Sequence, residues 1–251
     1  MSTPRLLVIQ PDVTDPAGPL GEWLTEAGAE LDVRLQPEDS LPTSLDGYDG
    51  LVCLGGGMNA EEDAEYPWLA EVRGLLGKAA GTGVPTLAVC LGAQLLAVAT
   101  GGKVIRAADG PEVGPALVAK KDAAWVDPLF ADLPLMQDVW QFHTDIIERL
   151  PPGAELLASA PRYPHQAYRL NSCAYGVQFH IETTPAVVRQ WAADAPDVAA
   201  TAREGTFDDE ALTEAHAEIA ETWRPFAHRF VRLAAGDLQP VADKRRTLPL
   251  A

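Results

Sequence analysis

Apolar residues recur along this chain in two alternating rhythms. Short, near-continuous runs, Leu6-Leu7-Val8-Ile9 and the stretches 31–35, 50–54 and 85–89, are separated by longer segments, about 19–27 and 67–80, in which apolar positions return every three or four residues. The first rhythm suits strands buried on both faces, and the second suits helices with one covered stripe. Strands and helices alternating in this order predict a parallel sheet with helices on both faces, because each crossover between parallel neighbours lays a helix over the sheet.

Beyond Gly101-Gly102 the rhythm changes. Strand-like runs at 113–119, 139–142, 155–158, 166–169 and 174–179 follow one another without a long helix between them. This predicts a largely antiparallel second half, packed beside the parallel sheet. With a helix expected over 185–193, the chain divides into an α/β domain over 1–193 and a helical C-terminal extension and tail over 194–251. In the extension, Leu212, Ala215, Ile219, Trp223, Phe226, Phe230 and Leu233 draw one apolar stripe along a helix over 208–233. Pro225 is expected to kink that helix or to start a second one. The stripe is expected to cap the chain's own core, and Lys244-Arg245-Arg246 to form a mobile end.

Composition then narrows the partners. A chain of 251 residues with 47% hydrophobic content can bury a sizeable core. Its net charge of −17 and the lack of a basic stripe interleaved with aromatics argue against nucleic acid as a partner. No apolar stretch approaches the roughly 20 residues that span a bilayer, and the first residues run into a strand without a signal-peptide pattern. A soluble, cytoplasmic protein without a membrane partner is expected. The three cysteines, Cys53, Cys90 and Cys173, are too few for a disulfide framework and lack the C-x-x-C spacing of a zinc site. No metal is expected.

One cysteine stands out by its position. Over Thr86-Leu87-Ala88-Val89-Cys90-Leu91-Gly92-Ala93-Gln94 a strand rhythm switches to a helix rhythm at Cys90. A tight strand-to-helix turn would present that thiol at the carboxyl edge of the sheet, against the unpaired N–H groups of the helix N-terminus. Cys53 sits mid-strand and Cys173 precedes the last strand, so both read as structural. Near the end of that strand, His180 and Glu182 are two residues apart in Gln178-Phe179-His180-Ile181-Glu182. In an extended chain they share one side, so a carboxylate can orient the imidazole while its other nitrogen faces a nucleophile. The glycine-rich Leu54-Gly55-Gly56-Gly57-Met58-Asn59 is not followed by the Gly-Lys-Ser/Thr of a phosphate loop and suits an oxyanion-binding backbone instead.

These three motifs, in this order, resemble those of class I glutamine amidotransferases, in particular free-standing members similar to the amidotransferase domain of GMP synthase. Glu112-Val113-Gly114, Gln141-Phe142-His143-Thr144-Asp145 and Gln166-Ala167-Tyr168-Arg169 add to the resemblance, which covers about residues 5–192. It implies a flavodoxin-like sheet and a triad of Cys90 as nucleophile, His180 as base and acid, and Glu182 as orienter. Backbone N–H groups of Gly57 and Leu91 would form the oxyanion hole, with Gly56, Met58, Gln94 and His143 near the substrate. The implied reaction cleaves the γ-glutamyl amide of glutamine to glutamate and ammonia through a thioester, without a cofactor. A separate ammonia-accepting synthetase is a possible partner, and a γ-glutamyl peptide or amine is the alternative substrate. A cysteine-based redox sensor and a non-catalytic binding subunit are readings of other classes. The chain departs from the family pattern at Ile181, where proline is usual, and at Ala88, where glycine is usual.

Overall fold

Leu6, Val8, Val52, Leu87 and Val89 enter one apolar cluster, while Leu7, Ile9, Leu51, Cys53 and Ala88 enter another, and all ten have no exposed surface. Alternate residues of each strand therefore serve two cores, one on each side of a sheet, which is why these runs read as continuously apolar. The structure, a computed structural model, describes residues 3–242. Its central sheet has nine strands. Five are parallel in the order β2 (Glu30–Leu35), β1 (Arg5–Gln10), β3 (Gly50–Cys53), β4 (Thr86–Val89) and β11 (Ala174–Val177). The sheet continues antiparallel through β10 (Ala167–Leu170), β9 (Glu155–Ser159), β6 (Glu112–Lys120) and β7 (Met136–His143). Helices α1 (Gly18–Glu26), α4 (Pro185–Asp194) and α6 (Asp209–Ala234) contribute to one apolar cluster, and α2 (Trp68–Thr82) and α3 (Leu91–Ala99) to the other.

The antiparallel half is not a layer set beside the parallel sheet but its direct continuation. The last strand, β11, pairs parallel with β4 along one edge and antiparallel with β10 along the other, so it joins the two halves. Gly176 makes the join close: a Cβ there would lie 2.4 Å from the Tyr168 ring. Two further strands, β5 (Lys103–Arg106) and β8 (Asp145–Arg149), form a separate antiparallel ribbon. Its alternating burial, with Val104 and Ile147 inside, gives too short an apolar signal to stand out in sequence.

The C-terminal stripe forms one helix that runs through Pro225. Pro225 and Glu221 are both exposed, so the carbonyl deprived of its intrahelical donor lies on the solvent side, where its loss is least costly. The short α5 (Pro196–Ala199) precedes this helix. The buried face of α6 enters the same core as β1, β4 and β11. Trp223 and Phe226 meet Phe130 at centroid distances of 6.1 and 5.4 Å, and the Trp223 indole donates to the Asp138 carbonyl at 2.8 Å. Trp223→Ala is expected to cost about 3–5 kcal/mol, read as a lowered urea midpoint. An unchanged midpoint would show that α6 is not part of the cooperative core. The basic Lys244-Arg245-Arg246 segment lies outside the described residues, and among those residues no helix is long and apolar enough to cross a membrane.

Candidate active site

Cys90 sits between β4 and α3 with φ 49° and ψ −108°, a left-handed conformation that costs a non-glycine residue strain and is held by its surroundings. Its N–H donates to the Val177 carbonyl at 2.8 Å, which ties the elbow to β11. Two residues on, Gly92 lets α3 start against β3: a Cβ at this position would lie 2.3 Å from the Cys53 carbonyl oxygen. Leu91 opens α3, so its N–H has no acceptor within the helix. Cys53 and Cys173 are buried with thiols pushed to higher pKa by desolvation.

The chain leaving β11 carries His180 and Glu182, and His180 exchanges two backbone hydrogen bonds with Trp140 of β7, at 2.8 and 3.2 Å. His180 Nδ1 lies 2.6 Å from Glu182 Oε1 as donor to the carboxylate, whose other oxygen accepts from the Ile181 N–H at 2.8 Å. Burial opposes a charge on His180. The Glu182 carboxylate and the neighbouring Cys90 overcome that penalty, through charge and hydrogen bonding, and hold the imidazole's pKa well above its ordinary value. Cys90, His180 and Glu182, which the sequence set apart by 90 residues, are therefore one buried cluster. Helix α6 supports it from behind: Thr183, next to Glu182, bonds His216 at 3.1 Å, and the Trp140 and His216 rings stack 5.5 Å apart.

Cys90 and His180 open onto a cavity of about 710 Å³ that Gly56, Gly57, Met58, Gln94 and His143 also line. Among the described residues the Gly57 N–H has no protein acceptor. Gly55 is required beneath this loop, since a Cβ there would meet Asp15 Oδ2 at 2.5 Å and the His180 ring at 3.1 Å. Gln94 donates to the Asp145 carbonyl at 3.0 Å. His143 has both ring nitrogens engaged, with the Asp145 carbonyl at 3.0 Å and Glu112 at 3.1 Å, so it offers the cavity its ring edge. Asp145 accepts from Asn59 at 2.7 Å through Oδ2, while among the described residues its buried Oδ1 has no hydrogen-bond partner and only a loose ion pair, 3.8 Å from Arg106. The glutamate and glutamine of the secondary motifs form the scaffold behind His143, with Gln166 bonding both Glu112 and Gln141.

Sequence reasoning passed over the opposite wall: Asp15, from the loop after β1, with Trp191 and Asp194 of α4. The one signal available was the placement of Asp12 and Asp15 just beyond the carboxyl end of a parallel strand, where ligands of open α/β sheets bind. Burial raises the Asp15 pKa from the usual 3.8 to about 7, with the charge of His180 and a hydrogen bond from the Trp191 N–H opposing the rise and the charges of Glu182 and Asp12 adding to it. A raised carboxyl stabilises the fold below its unfolded pKa, and that contribution is lost as pH rises through about 7. Asp15→Asn is therefore expected to be more stable than the parent, and by on the order of 2 kcal/mol more at pH 8 than at pH 5. Chemical denaturation at both pH values measures this. An equal difference at the two would show that Asp15 does not titrate in this range.

A mostly parallel sheet that carries a cysteine at a strand-to-helix elbow, beside a histidine–glutamate pair and a glycine loop, is the architecture of the α/β amidotransferases. Residues 20–190 match the family model for glutamine amidotransferase class-I, and the chain belongs to that family. It is 33% identical over 152 residues to a GMP synthase (glutamine-hydrolysing) of Christiangramia forsetii, a match covering 59% of this chain and 28% of the relative. With the corresponding enzyme of Staphylococcus carnosus it shares 37% over 134 residues, covering 53% and 24%. The chain thus matches about a quarter of these relatives' length. Among solved structures it resembles a glutamine amidotransferase from Thermotoga maritima, with a TM-score of 0.81 and 26% identity over 92% of this chain and 99% of that one. A glutamine amidotransferase from Methylobacillus flagellatus shares the fold at a TM-score of 0.78 and 24% identity, over 97% and 98% of the two chains.

Proposed function

We propose that the chain hydrolyses γ-glutamyl amides, glutamine being the simplest, through a thioester on Cys90. The observation that carries this reading is the burial of Cys90, His180 and Glu182 together at the mouth of a cavity that the glycine loop also lines. The glutamyl group would lie toward Gln94 and Asp145, where the orphaned Asp145 Oδ1 is suited to the substrate's α-ammonium. Cys90 Sγ attacks the δ-carbonyl carbon, and the N–H groups of Gly57 and Leu91 receive the developing oxyanion. His180, oriented by Glu182, gives its proton to the nitrogen, and the C–N bond breaks. His180 then takes a proton from water, whose oxygen attacks the thioester, and glutamate leaves as the Cys90 sulfur is restored.

The name of the curated relatives couples glutamine hydrolysis to GMP synthesis. An acceptor of the released ammonia would be a synthetase site outside these 251 residues. Glutamate and ammonia release from glutamine by the purified protein tests the hydrolytic reading. Equal amounts of the two products, each lost on treatment with a glutamine analogue that alkylates cysteine, are the expected result. Absence of turnover with glutamine and with every larger γ-glutamyl amide would overturn it.

A further inference from the structure

The cavity is larger than glutamine hydrolysis requires. Beyond the glutamyl group, glutamine hydrolysis needs room only for ammonia, which is about the size of water with its roughly 30 Å³ share of liquid volume, whereas the whole cavity holds about 710 Å³. Its two ends differ in chemistry. Asn59, Gln94 and Asp145 are bonded together at one end, and Arg106, among the described residues the one arginine or lysine lining the cavity, lies there too. The other end is reached past His180, whose ring is 4.7 Å from Trp191. Because His180 must protonate the leaving nitrogen, the leaving amine extends toward this second end.

That end is acidic, with no arginine or lysine lining it among the described residues. Asp12, Asp15 and Asp194 line it together with Trp191 and Val198. Asp15 is only 6% exposed, and among the described residues its one side-chain donor is the Trp191 N–H, which already serves the Thr14 carbonyl at 3.0 Å. A buried carboxyl so poorly served faces a cavity, which is an invitation to a cationic group. All five of these wall residues fall outside the stretch 20–190 that matches the family model.

Resting on the thioester reading above, we infer that the leaving amine carries a second, cationic centre: the substrate class is the γ-glutamyl amide of a diamine or polyamine, its distal ammonium held between Asp15 and Asp194 beside Trp191. The face of an indole adds attraction for an ammonium. The chemistry is unchanged: the amide C–N bond breaks, His180 supplies the proton to the departing nitrogen, and water completes hydrolysis to glutamate and the free diamine.

The test compares kcat/KM for four amides, with glutamate release as the readout: N-γ-glutamyl-1,4-diaminobutane, the neutral N-γ-glutamyl-butylamine, the anionic N-γ-glutamyl-4-aminobutyrate, and glutamine. The diamine derivative is expected to exceed the butylamide by about 10- to 100-fold, as one or two hydrogen bonds to a charged group allow, and to exceed the anionic amide by more. Asp15→Asn and the exposed Asp194→Asn, tested separately, are each expected to lower the diamine-to-butylamide ratio several-fold. Added salt should lower it as well, since Asp194 is open to screening. Equal rates for the diamine and butyl derivatives, or a preference for the anionic amide, would overturn the inference and leave the thioester reading standing. Failure to cleave any of the four would overturn both.

Discussion

Alanine at position 90 is expected to remove glutamate release altogether, and a glutamine analogue carrying an electrophile at the δ-carbon is expected to label Cys90 alone. The loss should reach at least about 10⁴-fold in kcat, as removal of a triad member does in such sites. Selectivity among the three thiols follows from their surroundings. Cys53 has no exposed surface, and burial drives its pKa up with nothing nearby to oppose it. Burial likewise raises Cys173, whose sulfur donates to the Gly83 carbonyl at 3.2 Å. Neither lines the cavity, whereas Cys90 does, with His180 beside it. Labelling requires access and an aligned carbonyl together with a reactive sulfur, and only Cys90 meets the first two. Peptide mapping after a short exposure checks the assignment. Label on Cys53, or an active Cys90→Ala protein, would remove Cys90 from the chemistry.

The sequence declared its elements more fully than their neighbours. Strands β1, β3 and β4 were legible because each feeds two cores, so nearly every residue is apolar. The ribbon strands β5 and β8 were not, because only alternate residues such as Val104 and Ile147 are buried. Periodicity also says nothing of direction, and β11 grouped with antiparallel strands in sequence although it pairs parallel with β4. Cys90 was conspicuous because the rhythm changes at that residue. Asp15 was not, since what buries it comes from far along the chain: Trp191 bonds the adjacent Thr14 across 177 positions. A motif shows where residues act in order, while an environment assembled from both ends of a chain has no signature in either end.

Glu182→Gln is expected to preserve the fold and lower kcat by about 10²–10⁴-fold, which corresponds to roughly 3–5 kcal/mol of barrier. A glutamine amide can still accept from His180 Nδ1–H, but it can equally turn its NH₂ to that nitrogen and fix the wrong tautomer. It also lacks the charge that offsets desolvation of the imidazolium, so the His180 pKa should fall once burial acts with less opposition. The same group links stability to pH. Because the folded pKa of His180 lies above the unfolded value of about 6.5, the parent gains stability that is complete below that value and is lost as pH rises through the folded pKa. The stability gap between parent and Glu182→Gln should therefore be widest in mildly acidic solution and narrow as pH rises. Urea denaturation across pH measures the gap, and pre-steady-state acylation measures the chemistry. A variant with full turnover would exclude Glu182 from the mechanism. One with lost turnover but a gap that does not change with pH would mean that the carboxylate acts on geometry alone, without stabilising the imidazolium.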